Sequence, residues 1–297
     1  MIISKTPFRM SFFGGGTDYP IWYEKNGGAT LSTTIDKYCY LMARYYPPFF
    51  PVKYRVVYSK IESANQYNEI EHPSVREVLK YLKLEDGIEI HNIADLPARS
   101  GLGSSSAFTV GLLHSLYGLT KEPTTKMKLA MDAIHVEQNL IKENVGSQDQ
   151  VAVAFGGFNK ITFAPGNVIE VHPVKASPER LQELNDRLMF FFTGFSRTAS
   201  EVAAEWIKNT PKKEKELHIM REMVDEATDI LCDEKQNINK FGILLNKAWQ
   251  IKRGLNHAIT TNHIDKIYEK AMEAGAIGGK LLGAGNGGFM IIYADPE

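Results

Sequence analysis

The sequence predicts an α+β protein, strand-rich in its first half and helical through most of its second. Three observations carry this. Segments around Ile2–Lys5, Ala29–Ile35, Tyr38–Tyr46 and Tyr54–Tyr58 are rich in β-branched and aromatic residues, as strands are. From Thr198 to about Met272 the pattern is almost wholly helical. The end returns to glycine and strand, with Gly278–Gly288 followed by Phe289–Tyr293. The chain therefore divides into a mixed domain, 1–180, and a mostly helical domain, 181–297, capped by a strand pair.

Between the first strands, Gly14-Gly15-Gly16-Thr17-Asp18 reads as a turn, because glycine weakens both helix and strand interiors. Pro47-Pro48 and Pro51 mark a surface loop. Ser74–Leu82 reads as a short helix and Gly87–His91 as a strand. Helices follow over Ser104–Tyr117 and Thr124–Glu143, then a Phe155–Phe158 turn into a strand near Asn159–Phe163. Arg187–Thr193, with its Leu-Met-Phe-Phe-Phe core, is expected to be a strand buried on both faces.

Composition narrows the function. Over 297 residues, 34 Lys+Arg against 35 Asp+Glu leave a net charge of −1. A nucleic-acid binder would show a basic excess or stripe. The densest basic run, Lys212-Lys213-Glu214-Lys215, is interrupted by an acid and reads as a solvated helix face. Cys39 and Cys232 are far apart and fit neither a disulfide framework nor a zinc site, which points to a reducing, cytoplasmic setting. Neither a signal peptide nor an apolar run of about 18 residues is present, so no membrane partner is expected.

The strongest signal for chemistry is Pro97-Ala98-Arg99-Ser100-Gly101-Leu102-Gly103-Ser104-Ser105-Ser106-Ala107. Gly101 and Gly103 let the backbone turn its amides toward one point. Three serines then open a helix, whose first turn has unpaired N–H groups and a partial positive charge. That is an anion site suited to a polyphosphate, and serine hydroxyls can also meet magnesium. No Gly-Lys-Ser/Thr follows, so this is not the Walker loop. The plainer reading, a serine helix cap behind a glycine turn, leaves the run of three serines without a purpose.

This stretch resembles the P-x-x-x-G-L-G/S-S-S-A motif of the GHMP kinases. A second likeness is Thr6–Tyr19, which aligns without a gap to A-P-G-R-V-N-L-I-G-E-H-T-D-Y of the galactokinase branch. A third is Gly283-Ala284-Gly285-Asn286-Gly287-Gly288, similar to the family's carboxy-terminal G-x-G-x-G-G loop. The resemblance implies a two-domain GHMP-kinase-like fold, with a left-handed crossover of the ribosomal S5 type in the first domain. It implies ATP-dependent phosphorylation of a small-molecule alcohol with Mg2+.

Site roles follow from the same resemblance. Ser100, Gly101, Leu102, Gly103, Ser104, Ser105 and Ser106 would hold ATP, and Ser105 with Glu137 would hold the metal. Asp149, 12 residues after Glu137, would take the acceptor proton, and Arg9 would stabilise the transferring charge. Glu143, on the same helical pattern, rivals Glu137. Gly15, Gly16, Thr17 and Asp18 would meet the sugar. Gly15 and Gly16 replace the Glu-His pair of the galactokinase pattern, which opens room for a bulkier acceptor. Gly283, Gly285 and Gly287 would let backbone approach the ligands.

Within the family, the triple glycine joined to A-D-L-P-A-R-S-G-L-G-S-S-S-A is most similar to the branch acting on D-glycero-D-manno-heptose 7-phosphate; fucose-type kinases share parts of it. That branch phosphorylates the anomeric oxygen, giving a 1,7-bisphosphate for surface polysaccharide. The partner is then a sugar phosphate, and Arg99 or Lys280, with Lys160 and Arg55 behind them, would hold its second phosphate. An isoprenoid kinase and a non-catalytic sensor are the alternatives. Either a monomer or a homodimer is compatible with the pattern.

Overall fold

A computed structural model describes residues 1–194 and 213–296. Its organising element is the antiparallel pair β1 (Ile2–Phe13) and β2 (Gly28–Tyr45), joined through the triple-glycine turn and the short helix α1 (Pro20–Asn26). The 18-residue β2 is long enough to serve two further neighbours. β5 (Ile88–Ala94) pairs with its second half and β6 (Phe158–Ala164) with its first. β3 (Tyr54–Val57) lies parallel to β5, with β4 (Ile61–Ala64) and helix α2 (Pro73–Tyr81) between them in sequence. β7 (Val168–Pro173) closes the seven-stranded sheet beside β6.

Helix α3 (Ser104–Thr120) packs on β1 and β2 and is apolar nearly all round, as a helix buried on every side must be. Gly111 permits the close approach, since the Ser4 hydroxyl donates to its carbonyl at 2.7 Å. The pattern expected over 124–143 is a single helix. The structure divides it into α4 (Lys126–Ile134) and a wide π turn, His135–Leu140. Helices α5 (Gln148–Phe155) and α6 (Pro178–Asn185) follow.

The second sheet has three strands, β8 (Leu188–Phe192), β10 (Phe289–Tyr293) and β9 (Gly278–Leu281), with β10 central. Among the described residues the helices Glu214–Cys232, Asn239–Leu255 and Asn262–Glu273 accompany it. These agree with the helical pattern from residue 213 onward; the part over 198–212 lies outside the described residues. β8 corrects the expectation of two-sided burial. It is an edge strand, and Phe191 and Phe192 remain 45% and 48% exposed. An unbroken apolar run marks a doubly covered strand only where both sheet faces are covered. Among the described residues no helix is long and apolar enough to cross a membrane.

The two halves share a core. Phe12 and Phe13 of β1 meet the ring of Phe241 edge-on at 5.3 and 5.1 Å, which joins the first sheet to the helix Asn239–Leu255. A second seam is made of backbone. A Cβ at Gly283 would lie 2.6 Å from Gly101 Cα, and one at Gly288 only 2.3 Å from the Ser100 carbonyl oxygen. Phe289 N donates to that oxygen at 3.1 Å. The carboxy-terminal glycine loop therefore lies directly against the serine loop, where a side chain has no room.

This contact can be weighed with two alanines. Gly156 and Gly288 both have positive φ, but Gly156 has nothing within 4 Å of an added Cβ. Gly156→Ala is expected to cost about 1–3 kcal/mol of backbone strain. Gly288→Ala adds the collision with Ser100 and should lower the melting temperature clearly further, with loss of ATP binding. Equal melting shifts in the two variants would mean that the loops are not packed in this way.

Candidate active site

A cleft of about 950 Å3 opens between the first sheet, α3 and the helix Asn239–Leu255. Its walls carry most of the motif residues. Gly101, Gly103, Ser104, Ser105 and Ser106 line its middle, Arg9, Gly15, Gly16, Asp18 and Asp149 one side, and Gly283, Gly285 and Gly287 the roof. Ser100 and Leu102 are fully buried behind the loop rather than facing the cleft, and Thr17 is buried with its hydroxyl on the Gly14 and Ala29 carbonyls. These three shape the site without lining it.

The serine loop ends in Gly103, whose left-handed backbone starts α3. The first intrahelical bond runs from Ala107 N to the Gly103 carbonyl at 2.8 Å, so the amides of Ser104–Ser106 precede the hydrogen-bonded ladder. The Ser104 hydroxyl accepts from Arg99 N at 3.1 Å and braces the turn. This is an anion-binding helix start facing a cleft.

Arg9 ties this loop to the acid opposite. Its backbone N donates to the Leu102 carbonyl at 3.0 Å, and Nη1 donates to the Gly101 carbonyl at 2.7 Å. Nε and Nη2 grip the Asp149 carboxylate at 2.8 and 2.5 Å, a bidentate fork that fixes both position and orientation. Arg9 is 3% exposed, while the Asp149 side chain keeps 27% of its surface open to the cleft. Asp149 stands in the first turn of α5. That turn is pinned by Ser147 N on the Asp18 carbonyl oxygen and by the Ser11 hydroxyl on Gln148 Oε1.

Asp18 is 1% exposed and accepts from Gly16 N at 2.8 Å and from Gln148 N at 3.3 Å. Burial pushes its carboxyl up to about 6, with the neighbouring Asp149 adding to the rise and the amide bonds opposing it. Gly146 must be glycine, because a Cβ there would fall 1.9 Å from Asp18 Oδ2.

Of the expected metal pair, Ser105 lines the cleft and Glu137 is fully buried. The hydroxyl that meets Glu137 is that of Ser106, at 3.0 Å from Oε2, whereas Ser105 is exposed. Successive residues turn by about 100° on a helix, so only one of the three serines can face inward here. Glu137 is fully buried at the π turn, a local widening often found at functional positions. Gln150 Nε2 also donates to its Oε2, while Oε1 has no hydrogen-bond partner among the described residues. Burial pushes the carboxyl up to about 7 against these bonds. An orphaned carboxylate oxygen beside a hydroxyl is a hard oxygen set that suits magnesium. Glu143 faces the cleft near Arg99, and burial raises its carboxyl too.

The expected second-phosphate cations separate. Arg99 is exposed at the rim of the cleft. Lys280 is 5% exposed, its ammonium donates to the Phe12 carbonyl at 2.8 Å, and burial pushes its amine well below the lysine range. Lys160 pairs with Asp225 and Arg55 with Glu89, and neither lines the cleft. Lys252 escaped the sequence reading. It lines the cleft and donates to the Gly283 carbonyl at 2.5 Å. The far end, with Tyr58, His72 and Phe108, was missed as well; the His72 and Phe108 rings stack at 4.4 Å. No motif spacing marks these residues, since they come from elements remote in sequence.

Such a cleft is suited to moving a phosphoryl group from a nucleotide to a small molecule, which makes this chain a phosphotransferase. The model of the GHMP kinases N terminal domain matches residues 72–157, and that of the GHMP kinases C terminal domain matches residues 228–297. The chain belongs to the GHMP kinase family and is an ATP-dependent kinase of the sugar type. It is 29% identical to D-glycero-alpha-D-manno-heptose 7-phosphate kinase of Campylobacter jejuni, over 99% of this chain and 90% of that protein. To mevalonate kinase of Pyrococcus horikoshii it is 30% identical, over 77% of this chain and 69% of the relative. The crystal structure of a D-glycero-D-manno-heptose 1-phosphate kinase from Bacteroides thetaiotaomicron superposes with a TM-score of 0.79 at 23% identity, covering 100% of this chain and 89% of that one.

Asp18 gives this site a pH signature. Between its ordinary value of 3.8 and about 6, the folded protein holds a proton that the unfolded chain has released. Its contribution to stability therefore falls as pH rises through that window and is level above it, by about 3 kcal/mol in all. Asp18→Asn should remove this part of the slope when urea midpoints are compared at pH 4 and pH 7. An unchanged difference between the two midpoints would show that Asp18 is not buried as described.

Proposed function

We propose that this sugar kinase transfers the γ-phosphoryl group of ATP to the anomeric hydroxyl of a phosphorylated sugar. D-glycero-D-manno-heptose 7-phosphate is the favoured acceptor, with a 1,7-bisphosphate as product, a step toward nucleotide-activated heptose for surface polysaccharide. The observation that carries the reading is the Arg9 guanidinium, which holds Asp149 and the Gly101 carbonyl at once. It sets a carboxylate and a phosphate loop at one fixed spacing. Likeness to a heptose 7-phosphate kinase over almost the whole chain supports the choice of sugar.

In this reading the aromatic end at Tyr58, His72 and Phe108 receives the adenine. The amides and hydroxyls of residues 103–106 take the β- and γ-phosphates. Ser106 and Glu137 would hold Mg2+, which when bound neutralises charge across those phosphates. Asp149 orients the acceptor hydroxyl and takes its proton, and Arg9 keeps the carboxylate aligned and faces the developing charge. Asp18 and the open Gly15-Gly16 turn meet the sugar hydroxyls. Arg99, at the rim, is the cation for the second phosphate. Both cysteines are free, which supports a cytoplasmic place of action.

The test is ADP release over heptose 7-phosphate, mannose 6-phosphate, galactose, fucose and mevalonate, with product position read by phosphorus NMR. Heptose 7-phosphate should be turned over best and carry the new phosphate at its anomeric oxygen. Preference for mevalonate or an unphosphorylated sugar would overturn the choice of acceptor. Asp149→Asn should lower turnover by at least about 10²-fold while ATP binding persists; full activity in that variant would remove Asp149 from the mechanism.

A further inference from the structure

Lys252 stands near the end of the helix Asn239–Leu255 and reaches into the cleft. Its Nζ donates to the Gly283 carbonyl at 2.5 Å, on the loop that abuts Gly101. An ammonium has three N–H donors, and among the described residues this bond accounts for only one of them. Among the described residues no carboxylate forms an ion pair with it. The charged groups around it are Arg9 on β1, Asp18 in the turn after β1, Asp149 on α5 and Lys280 on β9. Both acids are already engaged, Asp149 by the fork of Arg9 and Asp18 by two backbone amides. A lysine head that faces a cleft, with donors to spare and its nearest acids occupied, is placed to receive an anion.

We infer that Lys252 is a second cation for the phosphoryl group in transfer, delivered by the helical half of the chain to the Arg9–Asp149 centre. The assignment rests on the phosphotransfer reading of that centre and adds a residue to it. Arg9 is locked by four hydrogen bonds and acts as a fixed charge. Lys252 has a flexible stem and one bond, so it can follow the phosphoryl group as charge moves from the bridging oxygen to the acceptor. A cation in a cleft of this kind interacts far more strongly with developing charge than it would in water. Burial, and then the nearby Arg9, push its amine down to about 8. Arrival of the nucleotide phosphates would favour the ammonium and hold its proton to higher pH.

Three variants separate this role from a mere tether for the glycine loop. Lys252→Gln keeps a donor for Gly283 but no charge, Lys252→Arg keeps the charge at every working pH, and Lys252→Met keeps only the stem. The glutamine and methionine variants should lose about 10²-fold in kcat, with the ATP KM moving less than about tenfold. Wild-type kcat/KM should decline as pH rises past about 8. The arginine variant should retain much of the activity and lose that decline. An alkaline decline unchanged in Lys252→Arg, or a glutamine variant of normal kcat, would overturn the assignment.

A direct readout is the Lys252 ε-carbon signal of the isotope-labelled full chain, titrated with pH with and without Mg·ATP. Its midpoint should rise when Mg·ATP binds. A midpoint that stays put sinks the role of Lys252 even if the acceptor is turned over. A midpoint that moves, with every acceptor in the panel inert, leaves Lys252 in place and refutes the proposed acceptor instead.

Discussion

The site depends on one guanidinium. Arg9 is the point where β1, the serine loop and α5 are held in register. From its place on β1 its side chain donates both to the Gly101 carbonyl of the serine loop and to the Asp149 carboxylate of α5, while its backbone N donates to the Leu102 carbonyl. Only arginine offers a rigid planar fork together with a further donor that can reach a third group. A lysine there could satisfy the charge of Asp149 without fixing its orientation. Arg9 also sits at an irregularity of the β1–β2 ladder between Pro7 and Arg9, which frees its backbone N to bond the Leu102 carbonyl. The strand thus departs from regular pairing where the loop needs support.

A second constraint acts through atoms that are absent. The serine loop and the carboxy-terminal glycine loop touch backbone to backbone, and Phe289 N closes onto Ser100. The expectation for Gly283, Gly285 and Gly287 was close approach to ligands. The larger part of the explanation is that Gly283 and Gly288 let one loop approach the other. With Phe241 between Phe12 and Phe13, this seam makes the helical half part of the site.

Much of this was readable from residue order. The loop at 100–106, Arg9 and Asp149 stand together in the structure as the family resemblance implied. That Ser106 is the serine hydrogen-bonded to Glu137 was not legible, because three consecutive serines look alike until the helix phase is known, and that phase is set by packing on β1 and β2. The bond from Lys280 to the Phe12 carbonyl was not legible, because its partner is a carbonyl 268 residues away, and a main-chain oxygen leaves no trace in the sequence. β8 read as buried because an apolar run does not reveal whether the faces of its sheet are covered. Lys252 was invisible for the same reason as Lys280: its importance lies in which charges the fold brings near it.

Those charges explain why the site is assembled from strained ionisations. Asp18 and Glu137 are each buried enough to rise toward neutral pH, while Lys252 and Lys280 are pushed down. Without ligand, burial biases these acids toward keeping their protons and these amines toward releasing theirs, since a low-dielectric cleft penalises every unpaired charge. A nucleotide polyphosphate and a divalent cation would reverse both trends at once, one restoring the ammonium and the other ionising the carboxylate. Binding would then create the field that transfer requires, in a cleft whose geometry Arg9 has already fixed. The protein has placed groups whose charge would be completed by the reactants: Asp18, Lys252 and Lys280 line the cleft, and Glu137 is hydrogen-bonded to Ser106, which lines it too.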